Sequence, residues 1–211
     1  MMSFNPLRAL ALASAFLCVQ APAVAADGVA LLKQFVARTH AAKGSFVQSI
    51  YRANGGRGEQ SSGDFVFERP NRFRWHYREP YPQVLVGDGE KLWSYDPELA
   101  QVTVKRMGDA LGSTPAAILA GNTDLDATFT LDDGGEANGL TWAVATPKAT
   151  DSSFARMKLG FDGSRLVGME IRDNFGQITI LKFTAFETNP TIDPAVFTFT
   201  PPAGVDVVGD S

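Results

Sequence analysis

Residues 69–80 alternate between polar and apolar side chains at almost every step. Phe73, Trp75 and Tyr77 fall on one face of an extended strand, and the intervening arginines and histidine fall on the other. A helix would scatter these rings around its axis, because its period is about 3.6 residues. The preceding run adds two more rings at the same spacing, Phe65 and Phe67. The pattern predicts a strand with a broad apolar face. That face packs either inside an ordinary half-buried antiparallel sheet or against a guest molecule.

A period of two continues along most of the chain from Ser45, interrupted by turns rich in Gly, Asn and Asp. It predicts strands at 45–52, 59–68, 72–78, 83–87, 91–95, 101–106, 125–132, 140–146, 154–161, 165–172, 177–187 and 196–200. The short connections favour antiparallel hairpins over crossovers. A sheet of about a dozen strands curls toward a barrel, because each strand is twisted relative to its neighbour.

Two segments have the pattern of helices. Residues 28–42 carry apolar side chains at amphipathic spacing, and Lys43 and Gly44 are expected to end that helix. Residues 112–121 begin with a Ser/Thr cap and a proline and end with a glycine, which predicts a helix of barely two turns. A helix this short is unstable alone and must rest on an apolar surface. The sequence therefore predicts a curled sheet covered by helices.

The first residues have the pattern of a cleaved signal peptide, which we assign to 1–26, with cleavage after Ala25 or Ala26. The expected mature chain, 27–211, forms one domain by its length. Cys18 lies inside the apolar run and lacks the small residues that precede a lipidated cysteine, so we expect it to be removed with the signal. We therefore expect an exported protein without disulfides or a sulfur-based metal site.

The balance of charge limits the possible partners. The chain has 19 Lys and Arg against 23 Asp and Glu, and loss of the signal peptide would make it slightly more acidic. An acidic protein lacks the net positive charge with which proteins bind nucleic acid or anionic lipid surfaces. We therefore expect no nucleic-acid partner.

Residues for catalysis are scarce. His40 and His76 have no partners at metal-ligand spacing, and neither a His-Glu-x-x-His motif nor a Gly-x-Ser-x-Gly motif occurs. The acidic pairs near 124–126 and 132–133 lack the order of a calcium-binding loop. We expect no catalytic residue, no metal and no cofactor. This favours a binding protein over an enzyme, although a pair of carboxylates brought together by the fold cannot be seen in a sequence.

Five short segments occur in an order found in one family of exported proteins. They are Gly-Ser-Phe-Val-Gln at 44–48, Arg-Pro-Asn-Arg-Phe-Arg-Trp at 69–75, Leu-Val-Gly-Asp-Gly at 85–89 with Leu92, Trp93 and Tyr95 after it, Thr114-Pro115, and Phe-Thr-Phe-Thr-Pro-Pro at 197–202. Together they resemble the LolA family, the periplasmic carriers of bacterial lipoproteins. The resemblance extends over essentially the whole mature chain, and 122–172 contribute little to it.

The resemblance implies a mainly β protein with some α, a single-domain unclosed antiparallel β-barrel of about 11 or 12 strands with a helical lid. It implies a soluble periplasmic chaperone that takes acylated lipoproteins from an ATP-driven releasing complex in the inner membrane to an outer-membrane receptor. It also implies that Arg69 latches the lid by hydrogen bonding to its backbone, whereas the alternative is an arginine with routine surface contacts. Phe73 occupies the position that the family uses in hand-off. We expect a monomer.

The expected acyl-chain cavity is lined by large apolar residues of the strands and of the short helix. The candidates are Phe46, Phe65, Phe67, Phe73, Trp75, Trp93, Ile118 and Leu119. Alternation alone leaves open which face of the sheet is concave. Alanines at 116, 117 and 120 leave the short helix with fewer bulky side chains than family members often carry. Two alternatives remain: a lipid or lipoprotein sensor or receptor of the same fold, and a lipid-acting enzyme with a catalytic dyad.

Overall fold

The computed structural model describes residues 27–110, 115–121 and 124–209. The predicted signal peptide at 1–26 lies outside these residues. The described helices are α1 (Gly28–Arg38), α2 (Met107–Ala110), α3 (Pro115–Ala120) and α4 (Leu125–Thr128), with a 3₁₀ helix at Pro194–Phe197. None of the helices in the described ranges has the length and hydropathy required to cross a membrane.

Most of the described chain forms strands of one sheet. They are β1 (Ala41–Tyr51), β2 (Arg57–Glu68), β3 (Arg72–Glu79), β4 (Gln83–Asp88), β5 (Lys91–Asp96), β6 (Gln101–Arg106), β7 (Phe129–Ala137), β8 (Leu140–Pro147), β9 (Phe154–Asp162), β10 (Arg165–Asp173), β11 (Ile178–Thr188) and β12 (Asp206–Gly209). Their order across the sheet is β12-β6-β5-β4-β3-β2-β1-β11-β10-β9-β8-β7.

The sheet is built from two antiparallel meanders, β1 to β6 and β7 to β11, joined by antiparallel pairing of β1 with β11. The margins are β12, which runs parallel to β6, and β7. The two margins do not pair with each other, so the prediction of an unclosed, curved, mainly β fold is confirmed. The chain from β6 to β7 contains α2, α3 and α4. It connects strands near opposite edges of the sheet.

Two helices, α1 and α3, pack on one face of the sheet, which we call the concave face. α1 contacts β7, β8 and β9, and α3 contacts β2 and β3. Together α1 and α3 form the lid. Buried side chains of the lid and of the concave face belong to a single hydrophobic cluster, to which α1 contributes Leu32, Phe35 and Val36. The predicted sheet covered by helices is therefore what the structure shows.

The start of α1 follows from its sequence. The side chain of Asp27 accepts a hydrogen bond from the backbone N–H of Val29 at 2.9 Å, which caps the helix. A Cβ atom on Gly28 would lie 2.1 Å from the carbonyl oxygen of Trp142, so only glycine lets the helix approach β8 this closely. The Gly28 N–H donates to Asp133 Oδ1 at 2.9 Å, which ties the helix to β7.

Three predicted element boundaries were wrong. The first helix ends at Arg38 rather than at 42, because β1 begins at Ala41 and pairs along both sides with β2 and β11. Residues 125–128, the start of the predicted strand 125–132, form α4 instead. Asp124 Oδ1 caps this helix by accepting a hydrogen bond from the Ala127 N–H at 3.1 Å. The predicted strand 196–200 does not form. Pro194–Phe197 is a 3₁₀ helix, whose start is capped by Asp193 through the Ala195 N–H, and the last strand is β12, at Asp206–Gly209.

Candidate functional site

The concave face carries the rings predicted to line a cavity. Pairing of β2 with β3 places Phe67 opposite Phe73 and Phe65 opposite Trp75. The ring centroid of Trp75 lies 4.4 Å from that of Phe46 on β1 and 5.2 Å from that of Phe65. All five side chains belong to the same buried cluster. The alternation in the sequence therefore brings five aromatic rings from three adjacent strands into one apolar surface.

These rings are covered. Each of the five is at most 3% exposed. We expected a hollow with room for a guest, whereas the described side chains pack against one another beneath the lid. Leu119 of α3, also predicted to line the site, is 2% exposed in the same cluster. The structure thus shows the concave face with its lid closed.

Arg69 joins both helices of the lid to the end of β2. Its Nε donates to the carbonyl oxygen of Leu119 at 2.9 Å. Its Nη1 donates to the carbonyl oxygens of Val36 at 3.0 Å and Thr39 at 3.1 Å. These acceptors lie in the last turns of α3 and α1, where helix carbonyls lack partners within the helix and carry partial negative charge. One planar side chain with five donors can satisfy several such acceptors together.

The surroundings of Arg69 are apolar. The guanidinium carbon lies 5.5 Å from the ring centroid of Phe35 and 5.6 Å from that of Phe67, within the range of cation–π attraction. Burial lowers the pKa of Arg69 to about 10, so the side chain remains a cation at neutral pH. The backbone adds a further tie between sheet and lid, because the Asn71 N–H donates to the Ala120 carbonyl oxygen at 2.7 Å.

Asn189, which the sequence analysis did not single out, anchors the end of α1. Its Oδ1 accepts from the backbone N–H groups of His40 at 2.8 Å and Ala41 at 3.3 Å. Its Nδ2 donates to the Arg38 carbonyl oxygen at 2.7 Å. Its φ of 52° lies in the left-handed region, which asparagine tolerates better than most residues. An asparagine directly before Pro190 at the end of a long strand was the available signal.

Trp93 lies on the convex face, because its neighbour Leu92 belongs to the concave cluster and alternate residues of a strand point to opposite faces. Its Nε1 donates to Asp88 Oδ2 at 2.8 Å, and its ring lies 5.8 Å from that of Phe199 in the C-terminal segment. The prediction for Trp93 was therefore wrong. Ile118 lies on α3, but its side chain is outside the described part of the chain.

The sequence analysis missed the half of the concave face that lies under α1. This half consists of buried apolar residues of β9, β10 and β11, namely Phe154, Met157, Leu159, Phe161, Leu166, Met169 and Leu181. The ring of Phe35 packs on it, with its centroid 6.2 Å from that of Phe161. Alternation in β9 was the available signal, but smaller aliphatic side chains make it less conspicuous than the aromatic strand.

Polar groups also occur on the concave face beyond Trp75. The Tyr77 hydroxyl donates to Gln48 Oε1 at 3.3 Å. Burial raises the pKa of Tyr77 to about 12, against smaller opposing contributions from Gln48 and from the neighbouring Trp75 indole. The Trp75 N–H itself is buried and has no hydrogen bond of normal geometry. A predominantly apolar surface therefore contains one small polar region.

The described residues contain no group of three or more His, Cys, Asp or Glu side chains that could hold a metal ion. His76 lies on the convex side of β3, and partial burial together with the positive charges of Arg78 and Arg74 lowers its pKa. The chemistry that this site offers is burial of apolar surface.

Comparison with known proteins places the chain among lipoprotein carriers. The family model for outer membrane lipoprotein carrier protein LolA matches residues 37–200. An outer-membrane lipoprotein carrier protein of Dechloromonas aromatica is 50% identical over 185 residues, which are 88% of this chain and 89% of that protein. Another from Methylobacillus flagellatus is 44% identical over 205 residues, covering 97% of this chain and all (100%) of that protein.

A solved structure supports the fold alone. An uncharacterized conserved protein from Thermus thermophilus superposes with a TM-score of 0.54 at 15% sequence identity. The match covers 85% of this chain and 97% of that protein. At this level of identity the likeness concerns the path of the backbone and not the activity.

Proposed function

This chain belongs to the LolA family of outer-membrane lipoprotein carrier proteins, and we propose that its concave face is the surface that holds the acyl chains of lipoproteins while they cross the periplasm. The observation that carries this assignment of the site is the aromatic surface beneath a lid that is fastened by polar contacts. Acyl chains are long and apolar, so they require a broad apolar surface rather than a shaped polar pocket.

The closed lid defines how loading would proceed. In the closed structure the five rings are buried by one another and by α1 and α3, so acyl chains can reach them only when the lid is displaced. Cargo then replaces the contacts that the lid made. Because one apolar contact is exchanged for another, the change in free energy is small, and the hydrogen bonds of Arg69 are a principal cost of opening.

The energetics of the cargo require direct transfer. Burial of an acyl chain contributes about 0.8 kcal/mol per methylene, so three long chains contribute on the order of 35 kcal/mol relative to water. Non-covalent affinities saturate near roughly 20 kcal/mol, so no carrier can compensate for passage through free water. We therefore infer that the protein accepts lipoproteins directly from an ATP-driven releasing complex in the inner membrane. It delivers them in the same way to a receptor at the outer membrane.

The sequence is also compatible with two other functions: a sensor or receptor of the same fold, and an enzyme that acts on lipid. The carrier function is favoured over both, because the relatives that match along nearly the full chain are lipoprotein carriers. The expected signal peptide at 1–26 is consistent with export to the periplasm.

The test is release of lipoprotein from membranes. Mature protein is incubated with proteoliposomes that contain the releasing complex, ATP and a triacylated lipoprotein. We expect the lipoprotein to appear in the soluble fraction in a complex with the carrier. The matched control is the same lipoprotein with its acylated cysteine replaced by serine, which should form no complex. Release no greater than that in buffer would overturn the proposal.

A further inference from the structure

The N–H of Trp75 has no well-formed hydrogen bond in the middle of the concave face. The residue is 2% exposed, and its Nε1 has no partner of normal hydrogen-bond geometry among the described residues, although the Tyr77 hydroxyl is close enough for the indole to favour its ionised form. Most buried N–H groups in folded proteins are paired, so an unpaired one requires an explanation. The two other tryptophans, which are only partly buried, are paired. Trp93 Nε1 donates to Asp88, and Trp142 Nε1 donates to the Ala137 carbonyl oxygen at 3.1 Å.

Trp75, on β3, lies where the concave face of strands β1 to β3 changes from apolar to polar side chains. Toward the Arg69 end of these strands the concave face is made of Phe67 and Phe73. In the opposite direction, the same face carries polar side chains: Gln48 and Ser61 are buried, and Tyr77 is partly buried. Gln48 and Ser61 are directly opposite each other in the pairing of β1 with β2. The face therefore changes from purely apolar to partly polar at Trp75.

The lipid modification of a lipoprotein shows the same change from apolar to polar groups along its length. Each acyl chain is apolar along its length and ends in a carbonyl group, and the carbonyl groups lie next to the glyceryl and cysteine portion. The carbonyl oxygen is a hydrogen-bond acceptor that loses water when the chain is buried, so its burial is unfavourable without a donor. An N–H located where the apolar surface ends supplies such a donor.

We propose that the Trp75 N–H donates a hydrogen bond to an ester carbonyl oxygen of the cargo's diacylglyceryl group. This inference rests on the proposed carrier function and specifies how the cargo is oriented. The acyl chains extend along Phe67 and Phe73 toward Arg69. The glyceryl group and the attached peptide lie toward Tyr77 and Gln48, where polar side chains are already present.

The test uses a pair of synthetic probes that differ only in the ester carbonyls. One is a short peptide whose N-terminal cysteine carries an S-2,3-bis(palmitoyloxy)propyl group, and the other carries the matching S-2,3-bis(hexadecyloxy)propyl ether. Trp75→Phe removes the N–H and keeps an aromatic ring. Trp93→Phe is the matched control, because its N–H is on the convex face and bonded to Asp88.

We expect Trp75→Phe to weaken binding of the ester probe about tenfold and to change binding of the ether probe less than twofold. Trp93→Phe should change neither. In nitrogen-15 spectra of the wild type, the indole proton of Trp75 should move downfield with the ester probe and not with the ether probe. If Trp75→Phe loses structure, benzothienylalanine at position 75 keeps the ring shape without the N–H, and the same result is expected.

Equal losses for both probes, or no loss for either, would overturn the Trp75 proposal. An indole resonance that responds identically to ester and ether would do the same. Failure of the wild type to bind either probe is a different outcome, because it would contradict the carrier function itself.

Discussion

The Nε atom of Arg69 lies 2.9 Å from the carbonyl oxygen of Leu119, fifty residues further along the chain. The same guanidinium donates to the carbonyl oxygens of Val36 and Thr39 on the other helix of the lid. A single side chain at the end of a strand therefore holds the last turns of two helices that are distant in sequence. The contact is polar and buried, so it fixes the geometry of the closed lid without adding to the apolar area that cargo must displace.

Replacing Arg69 with lysine should loosen the lid. A lysine keeps the positive charge, but its compact ammonium group cannot reach three carbonyl oxygens on two helices from one position. We expect the free energy of unfolding to fall by about 1–3 kcal/mol. We also expect faster amide hydrogen exchange in α1 and α3, with urea denaturation and exchange mass spectrometry as the measurements.

The control for this change is Arg165→Lys, because Arg165 pairs with Asp162 in an exposed hairpin. An exposed ion pair contributes little, so this variant should keep wild-type stability and exchange. If Arg69→Lys behaves like the control, the hydrogen bonds of Arg69 do not hold the lid.

Replacing Asn189 with glycine should release the end of α1. Glycine adopts the φ of 52° without strain, so the change removes the side-chain hydrogen bonds to Arg38, His40 and Ala41 and little else. We expect a loss of about 1–3 kcal/mol in the free energy of unfolding, measured in urea. Asn138→Gly is the control, with a φ of 54° in the turn between β7 and β8. Equal effects of the two changes would show that Asn189 acts only through its backbone conformation.

Replacing Gly87 with alanine should disturb packing under the lid. A Cβ atom there would lie 2.5 Å from Cε1 of Phe73 and 2.8 Å from Cε of Met107, both in the buried cluster. Overpacking of this kind costs about 1–3 kcal/mol, which thermal denaturation can measure. In the control Gly108→Ala, the new Cβ atom would contact nothing within 4 Å outside its own helix turn, so stability should be unchanged or slightly higher. A Gly87→Ala protein as stable as wild type would indicate that Phe73 moves easily in the closed state.

The hydroxyl of Tyr77 should ionise at a higher pH than an exposed tyrosine. Its pKa in the folded protein is about 12, against 10.0 for the unfolded reference. Because the folded value is raised, the stabilisation of the neutral phenol is fully present below pH 10.0 and is lost as the pH rises through about 12. Subtracting the ultraviolet titration of Tyr77→Phe from that of wild type isolates this group. We expect the difference to develop near pH 12. A difference that develops near pH 10 would mean that Tyr77 is exposed to solvent.

Alternation in the sequence was sufficient to predict most strands and to identify the aromatic surface of β2 and β3. It works because the side chains of a strand alternate between faces regardless of what lies beyond the sheet. It could not show which face is concave. Trp93 illustrates the difficulty: a large ring suggested the cavity, but the C-terminal segment with Phe199 covers the convex face and provides a second apolar environment.

The latch role of Arg69 was implied by a family resemblance and stays a proposal; the structure shows the hydrogen bonds of Arg69 to both helices of the lid. Its three acceptors are backbone carbonyls, which any sequence supplies, so only the fold shows which of them lie near Arg69. The missed contribution of Asn189 has a similar cause. Its partners lie about 150 residues away in sequence, and no local pattern reports the pairing of β1 with β11.

The chain between β6 and β7 has a mechanical consequence. It contains α3 and connects strands on opposite sides of the sheet, so it works as a tether as well as a covering. An α3 that is displaced from the sheet therefore remains attached at both ends, to β6 near one edge and to β7 at the other. Opening cannot lose this helix, and its return to the sheet is an intramolecular step.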